Sequence, residues 1–67
     1  MIKTLDLHGK KHHEVDILVE NFVLSEEKPI RIITGNSDKM KNLVINVLER
    51  HRMIYWSFKQ GQLTVLK

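Results

Sequence analysis

Apolar residues recur along the chain with two periods that take turns. Ile2 to Leu7 alternates, with Leu5 and Leu7 on one side and Thr4 and Asp6 on the other, which predicts a strand bounded by Gly9. From about His12 the spacing becomes helical, since Val15, Leu18, Val19, Phe22 and Val23 fall at i, i+3, i+4, i+7 and i+8 while Asp16 and Glu20 lie on the polar side. Ser25-Glu26-Glu27-Lys28 is a polar exit before Pro29, which disfavours helix at the residue preceding it. Ile30 to Thr34 is short, β-branched and stopped by Gly35-Asn36, as a second strand would be. Asn36 or Ser37 can then cap a second helix, in which Met40, Leu43, Val44, Val47 and Leu48 repeat the spacing and which ends near His51. Met53 to Lys59 alternates again, with Ile54, Trp56 and Phe58 on one face and Met53, Tyr55 and Ser57 on the other. Gln60-Gly61 turns the chain, and Leu63 and Val65 alternate through a last strand.

The order is βαβαββ: an α/β fold, more narrowly an α+β two-layer sandwich, with two helices on one face of a four-stranded mixed sheet. A strand, a helix and a second strand in succession imply that the first two strands run parallel. The expected core is Leu5, Leu7, Val15, Leu18, Val19, Phe22, Ile30, Ile32, Leu43, Val44, Val47, Ile54, Trp56, Phe58, Leu63 and Val65. The opposite face would then present Ile2, Thr4, Asp6, Arg31, Ile33, Met53, Tyr55, Thr64 and Leu66, which is more apolar than a solvent face needs to be. Residues 1–67 form one domain, and a chain of 67 residues buries only about 60% of the surface its unfolded form exposes. A homodimer through the open sheet face is one expected source of further burial.

Composition changes this picture in two ways. With no cysteine, neither a disulfide nor a cysteine-ligated metal can staple the domain, and the expected compartment is the reducing cytoplasm. No basic segment followed by an apolar one opens the chain, and no apolar run approaches the length of a membrane span, so no membrane association is expected. Eleven Lys and Arg against eight acidic residues give a net charge of +3, and position says more than the sum. Lys10, Lys11, His12 and His13 follow Gly9, and Lys39 and Lys41 follow Gly35-Asn36. Cations at helix starts are disfavoured by roughly 0.3–1 kcal/mol each, so their placement points to a bound polyanion.

The stretch Leu5-Asp6-Leu7-His8-Gly9 carries the candidate chemistry. It ends a strand beside a helix start, where ligands of open α/β sheets sit and where backbone amides favour phosphate. His8 could move a proton on an attacking hydroxyl or a leaving oxygen, with Asp6 orienting it or helping to place a divalent metal such as magnesium or manganese. The plain alternative is that Asp6 serves a turn. His12 and His13 point roughly 100° apart on a helix and lack a third ligand, so no metal site is assigned. Glu14 suits a first helical turn, and His51 suits the dipole of a helix end. Tyr55 on the open face, with Arg31 beside it, is the candidate for stacking on a base.

Four segments in order, Leu5-Asp6-Leu7-His8-Gly9, Glu14-Val15, Ile32-Ile33-Thr34-Gly35 and Gly61-Gln62-Leu63-Thr64-Val65-Leu66, together resemble the Smr (small MutS-related) domain family over nearly the whole chain. The resemblance implies a two-layer fold similar to the carboxyl-terminal domain of bacterial translation initiation factor three. It also implies nucleic-acid binding, often with endonuclease activity that nicks DNA or cleaves RNA, and a contact loop of pattern T-G-x-G. On these positions the implied catalytic residues are Asp6 and His8. The implied nucleic-acid contacts are Gly9, Lys10, Lys11, Thr34, Gly35, Asn36, Ser37, Lys39 and Lys41, joined by Arg31 and Tyr55 from the reading above. Here the loop reads Thr34-Gly35-Asn36-Ser37. Either Ser37 caps the second helix and donates its hydroxyl to phosphate, or the loop has lost grip and the domain is a non-catalytic module that binds nucleic acid, ribosome or protein.

Overall fold

The computed structural model describes residues 2–67. Strand β1 (Lys3–Asp6) leads to helix α1 (His12–Ser25), strand β2 (Ile30–Ile33), helix α2 (Asp38–Arg50), the two-residue strand β3 (Tyr55–Trp56) and strand β4 (Gln62–Val65). The sheet order is β1-β2-β4-β3. β1 and β2 are parallel, with Leu5 opposite Ile32, while β4 runs antiparallel to both β2 and β3. The predicted fold class and element order are therefore observed, with strands shorter than the alternation suggested.

One cluster fills the space between the helices and the sheet. Val15, Val19 and Val23 come from α1, and Met40, Val44, Val47 and Leu48 from α2. They meet Leu7, Ile30, Ile32, Leu63 and Val65, and all twelve are nearly or wholly inaccessible to water. Leu5, Leu18, Phe22 and Leu43, also expected inside, pack around this cluster half-buried.

Each helix end has an identifiable partner. Glu14 Oε2 accepts the Lys11 amide at 3.2 Å, and Ser37 Oγ accepts the Met40 amide at 3.1 Å. At the far end of α1, Lys28 Nζ donates to the Val23 and Glu26 carbonyls. α2 closes with the Met53 amide on Leu48 O and the Arg52 amide on Glu49 O, a turn that holds Arg52 at φ 56°. The helices are clamped by Arg50, whose two terminal nitrogens reach Asp16 at 2.7 and 3.3 Å, and by His51, which pairs with Glu20 at 2.9 Å. His51 thus bridges two helices, where a partner for helix carbonyls was expected.

The β3 strand corrects the sequence reading. Ile54, Trp56 and Phe58 were expected in the core, yet they are 56%, 62% and 69% exposed. Met53 and Tyr55, expected on the open face, pack against the core. Pairing with β4 decides this, because Tyr55 lies opposite the buried Val65 and Trp56 opposite Thr64 on the other face. The Tyr55 hydroxyl donates to Glu49 Oε2 at 2.9 Å, which satisfies its polar end beside α2. That hydrogen bond, with some burial and the Glu49 charge, holds the Tyr55 phenol above its ordinary range. Tyr55 is thereby removed from the stacking role proposed for it on the open face.

Candidate functional site

The parallel pairing of β1 and β2 carries their terminal loops to the same pole of the sheet. In the first loop, Asp6 Oδ1 accepts the His8 amide at 2.9 Å and the Lys10 amide donates to Leu7 O at 2.9 Å, closing a tight turn around Gly9 at φ 84°. Asp6 therefore orients the backbone of His8, not its ring, which is the turn function the dull alternative describes. The imidazole is exposed and stands against the second loop: a Cβ placed on Gly35 would lie 3.7 Å from its Cδ2.

In the second loop, Gly35 takes φ 70° and Ser37 takes φ −88°. A glycine at the Ser37 position would gain nothing from left-handed backbone angles, so the departure from T-G-x-G leaves the loop unstrained. Ser37 caps α2, which is the capping part of the first outcome foreseen for it. Thr34 is buried, and its hydroxyl donates to Gly35 O at 3.1 Å, so its side chain braces the loop from inside. Asn36 is exposed at the tip.

A third loop joins them, and sequence reasoning missed its part. The Gly61 carbonyl accepts the Thr34 amide at 2.8 Å and the Gly35 amide at 3.1 Å. A Cβ on Gly61, which has φ 80°, would come within 3.2 Å of Gly35 O. The β3–β4 turn is thus pressed onto the Thr34-Gly35 loop. The available signal was topological: an antiparallel β4 beside β2 must begin next to the end of β2.

Charge is distributed unevenly around this pole. Among the described residues the ion pairs are Arg50 with Asp16 and Glu20, and His51 with Glu20, all between the helices. Asp16, with Glu20 in support, raises the Arg50 guanidinium further above its already high range. No other Lys or Arg among the described residues is ion-paired, and five of them lie on the segments of this pole: Lys10 and Lys11 in the first loop, Lys39 and Lys41 in the first turn of α2, and Lys59 in the hairpin turn. Among the described residues the amides of Gly9, Asn36 and Ser37 meet no protein acceptor, and the helix α2 dipole adds to their pull on an anion. Arg31 lies away from the loops, in the open-face row Thr4, Arg31, Thr64, Trp56. No group of three or more His, Asp or Glu side chains converges among the described residues, so Asp6 and His8 do not by themselves build a site for the divalent ion considered above.

No protein-family model matches the sequence, and no curated protein matches it significantly. Two solved structures do share its fold. The crystal structure of a human small-MutS related domain matches at TM-score 0.65 with 28% identity, over 92% of this chain and 96% of that one. The solution structure of the SMR domain of NEDD4-binding protein 2 matches at TM-score 0.65 with 26% identity, over 98% of this chain and 85% of that one. The resemblance to Smr domains thus extends from short motifs to the whole architecture. The comparisons lend no support to a homodimer through the open sheet face.

Proposed function

We propose that this chain, similar in sequence and fold to Smr domains, binds the sugar-phosphate backbone of RNA or DNA at the pole where its three loops meet and cleaves a phosphodiester bond there. The observation that supports this is the meeting at one pole of three loops whose Gly9, Asn36 and Ser37 amides have no protein acceptor among the described residues, on segments that carry Lys10, Lys11, Lys39, Lys41 and Lys59. Lys10, Lys11, Lys39 and the amides of Gly9, Asn36 and Ser37 hold phosphate oxygens. His8, exposed beside Gly35, serves the proton transfer. An oxygen of water or of a ribose hydroxyl forms the new bond to phosphorus and loses its proton, while the departing oxygen takes one up. Asp6 keeps His8 in place through its amide.

Binding that neutralises about three phosphates of a single strand makes log affinity fall with log salt at a slope near −2. A flat response overturns the proposal. His8→Ala is expected to lower cleavage of labelled oligonucleotides by about 10²–10⁴-fold at nearly unchanged affinity. Asp6→Asn, which keeps an oxygen for the His8 amide, should lose less. The second reading, a module that binds nucleic acid without cutting it, is favoured by the commitment of the Asp6 carboxylate to a turn. Salt-dependent binding with no cleavage, with or without magnesium or manganese, would select it.

A further inference from the structure

The open face of the sheet carries a row of four side chains, Thr4, Arg31, Thr64 and Trp56, one from each strand. Trp56 belongs to this face, away from α2, because its neighbour Tyr55 packs on the helix side and its partner Thr64 lies between the buried Leu63 and Val65. We infer that this row receives a nucleotide of a single strand, with its base on the Trp56 indole and its phosphate at the Arg31 guanidinium. The inference rests on the proposed nucleic-acid reading and adds to it a class of ligand: a strand with bases free to leave their stack, not an intact duplex.

Four observations carry it. First, Trp56 is 62% exposed although its backbone is paired in the sheet. Aromatic faces stack on any base, and indole is the largest of them. Second, Arg31 has no ion-pair partner among the described residues. It lies two strands from Trp56, about 10 Å across the sheet, with only the small Thr64 between them. Asp6, the one carboxylate on this face among the described residues, already accepts the His8 amide. Third, the row adjoins the loops. Thr64 is two residues, about 7 Å along β4, from Gln62, which pairs with Ile33 at the end of β2. Phe58, 69% exposed, lies in the turn between Trp56 and Gly61, so aromatic surface continues toward the pole. A strand held at Gly35 and Gly61 therefore reaches the row within a nucleotide or two. Fourth, the polarity of the face fits a nucleotide better than a protein. A protein interface is most apolar at its centre, whereas here the centre is Arg31 between two threonines, and the exposed Ile54 and Leu66 lie at the margin away from the loops.

Trp56 is the single tryptophan of the chain, so its fluorescence reports on this face alone. The full chain is titrated with oligothymidylate and with an abasic strand of equal length, following tryptophan emission and the anisotropy of a labelled strand. Oligothymidylate is expected to quench Trp56 and to bind about tenfold more tightly than the abasic strand, with the same salt slope for both. Trp56→Ala should remove that tenfold advantage at an unchanged slope, and Trp56→Phe should keep most of it. Arg31→Ala should instead lower the magnitude of the slope by about 0.7, the share of one phosphate on a single strand. A duplex of the same sequence should leave emission unchanged. Equal affinity for the two strands, quenching by the duplex as strong as by the single strand, or Trp56→Ala binding oligothymidylate as the parent does, overturns the open-face assignment while leaving the phosphate reading in place. If neither strand binds at any salt, both are overturned.

Discussion

Ile32→Ala is expected to remove about half of the domain's stability. Ile32 sits in one of the two central strands, opposite Leu5 on one side and Leu63 on the other, and none of it is exposed. Truncating a buried isoleucine to alanine costs about 2–5 kcal/mol. A 67-residue domain has in total only about 3–10 kcal/mol to lose. The same truncation at Ile17, which is 60% exposed on α1, should fall within about 0.5 kcal/mol of the parent. Thermal and urea melts of the two variants decide the matter. An Ile32→Ala protein that melts with Ile17→Ala would mean that the sheet packs on something other than the cluster described.

Gly61→Ala is expected to injure stability and ligand binding together. Its φ of 80° costs an alanine roughly 1–2 kcal/mol. The new methyl would also come within 3.2 Å of Gly35 O, a backbone atom that cannot swing aside. Relief requires moving one loop against the other and weakening both hydrogen bonds on the Gly61 carbonyl. Gly9→Ala isolates the first effect, since Gly9 has φ 84° with nothing within 4 Å of its added methyl. Gly61→Ala should therefore melt below Gly9→Ala and lose about tenfold more affinity for a single strand. Equal behaviour of the two variants would mean that the contact between the second and third loops does not shape the site.

Much of this architecture is legible in the chain because its periods are unambiguous. Val15, Leu18, Val19, Phe22 and Val23 can form a stripe only on a helix, and Ile30-Arg31-Ile32-Ile33 before Gly35 reads as a strand. The first loop was equally visible, since a carboxylate, an imidazole and a glycine end the first strand together. The β3 segment misled because both of its faces are apolar. Met53 and Tyr55 compete with Ile54 and Trp56, and hydrophobicity favours the wrong pair. The outcome is set by register against Val65 and by the carboxylate of Glu49, six residues from Tyr55 and on another element. Neither can be read from alternation. The antiparallel pairing of β4 with β2 brings Gly61 to Gly35, a contact between residues 26 positions apart that local pattern does not reveal. Trp56 consequently takes the place on the open edge that the sequence assigned to Tyr55.

The most direct test maps backbone amide shifts while a short single-stranded oligonucleotide is added at low salt. The largest changes should fall together on His8, Gly9, Gly35, Asn36, Ser37 and Gly61, three stretches far apart in sequence and adjacent at one pole of the sheet. Changes centred instead on Asp16, Glu20 and Arg50, or confined to one of the three loops, would contradict a shared phosphate-binding pole.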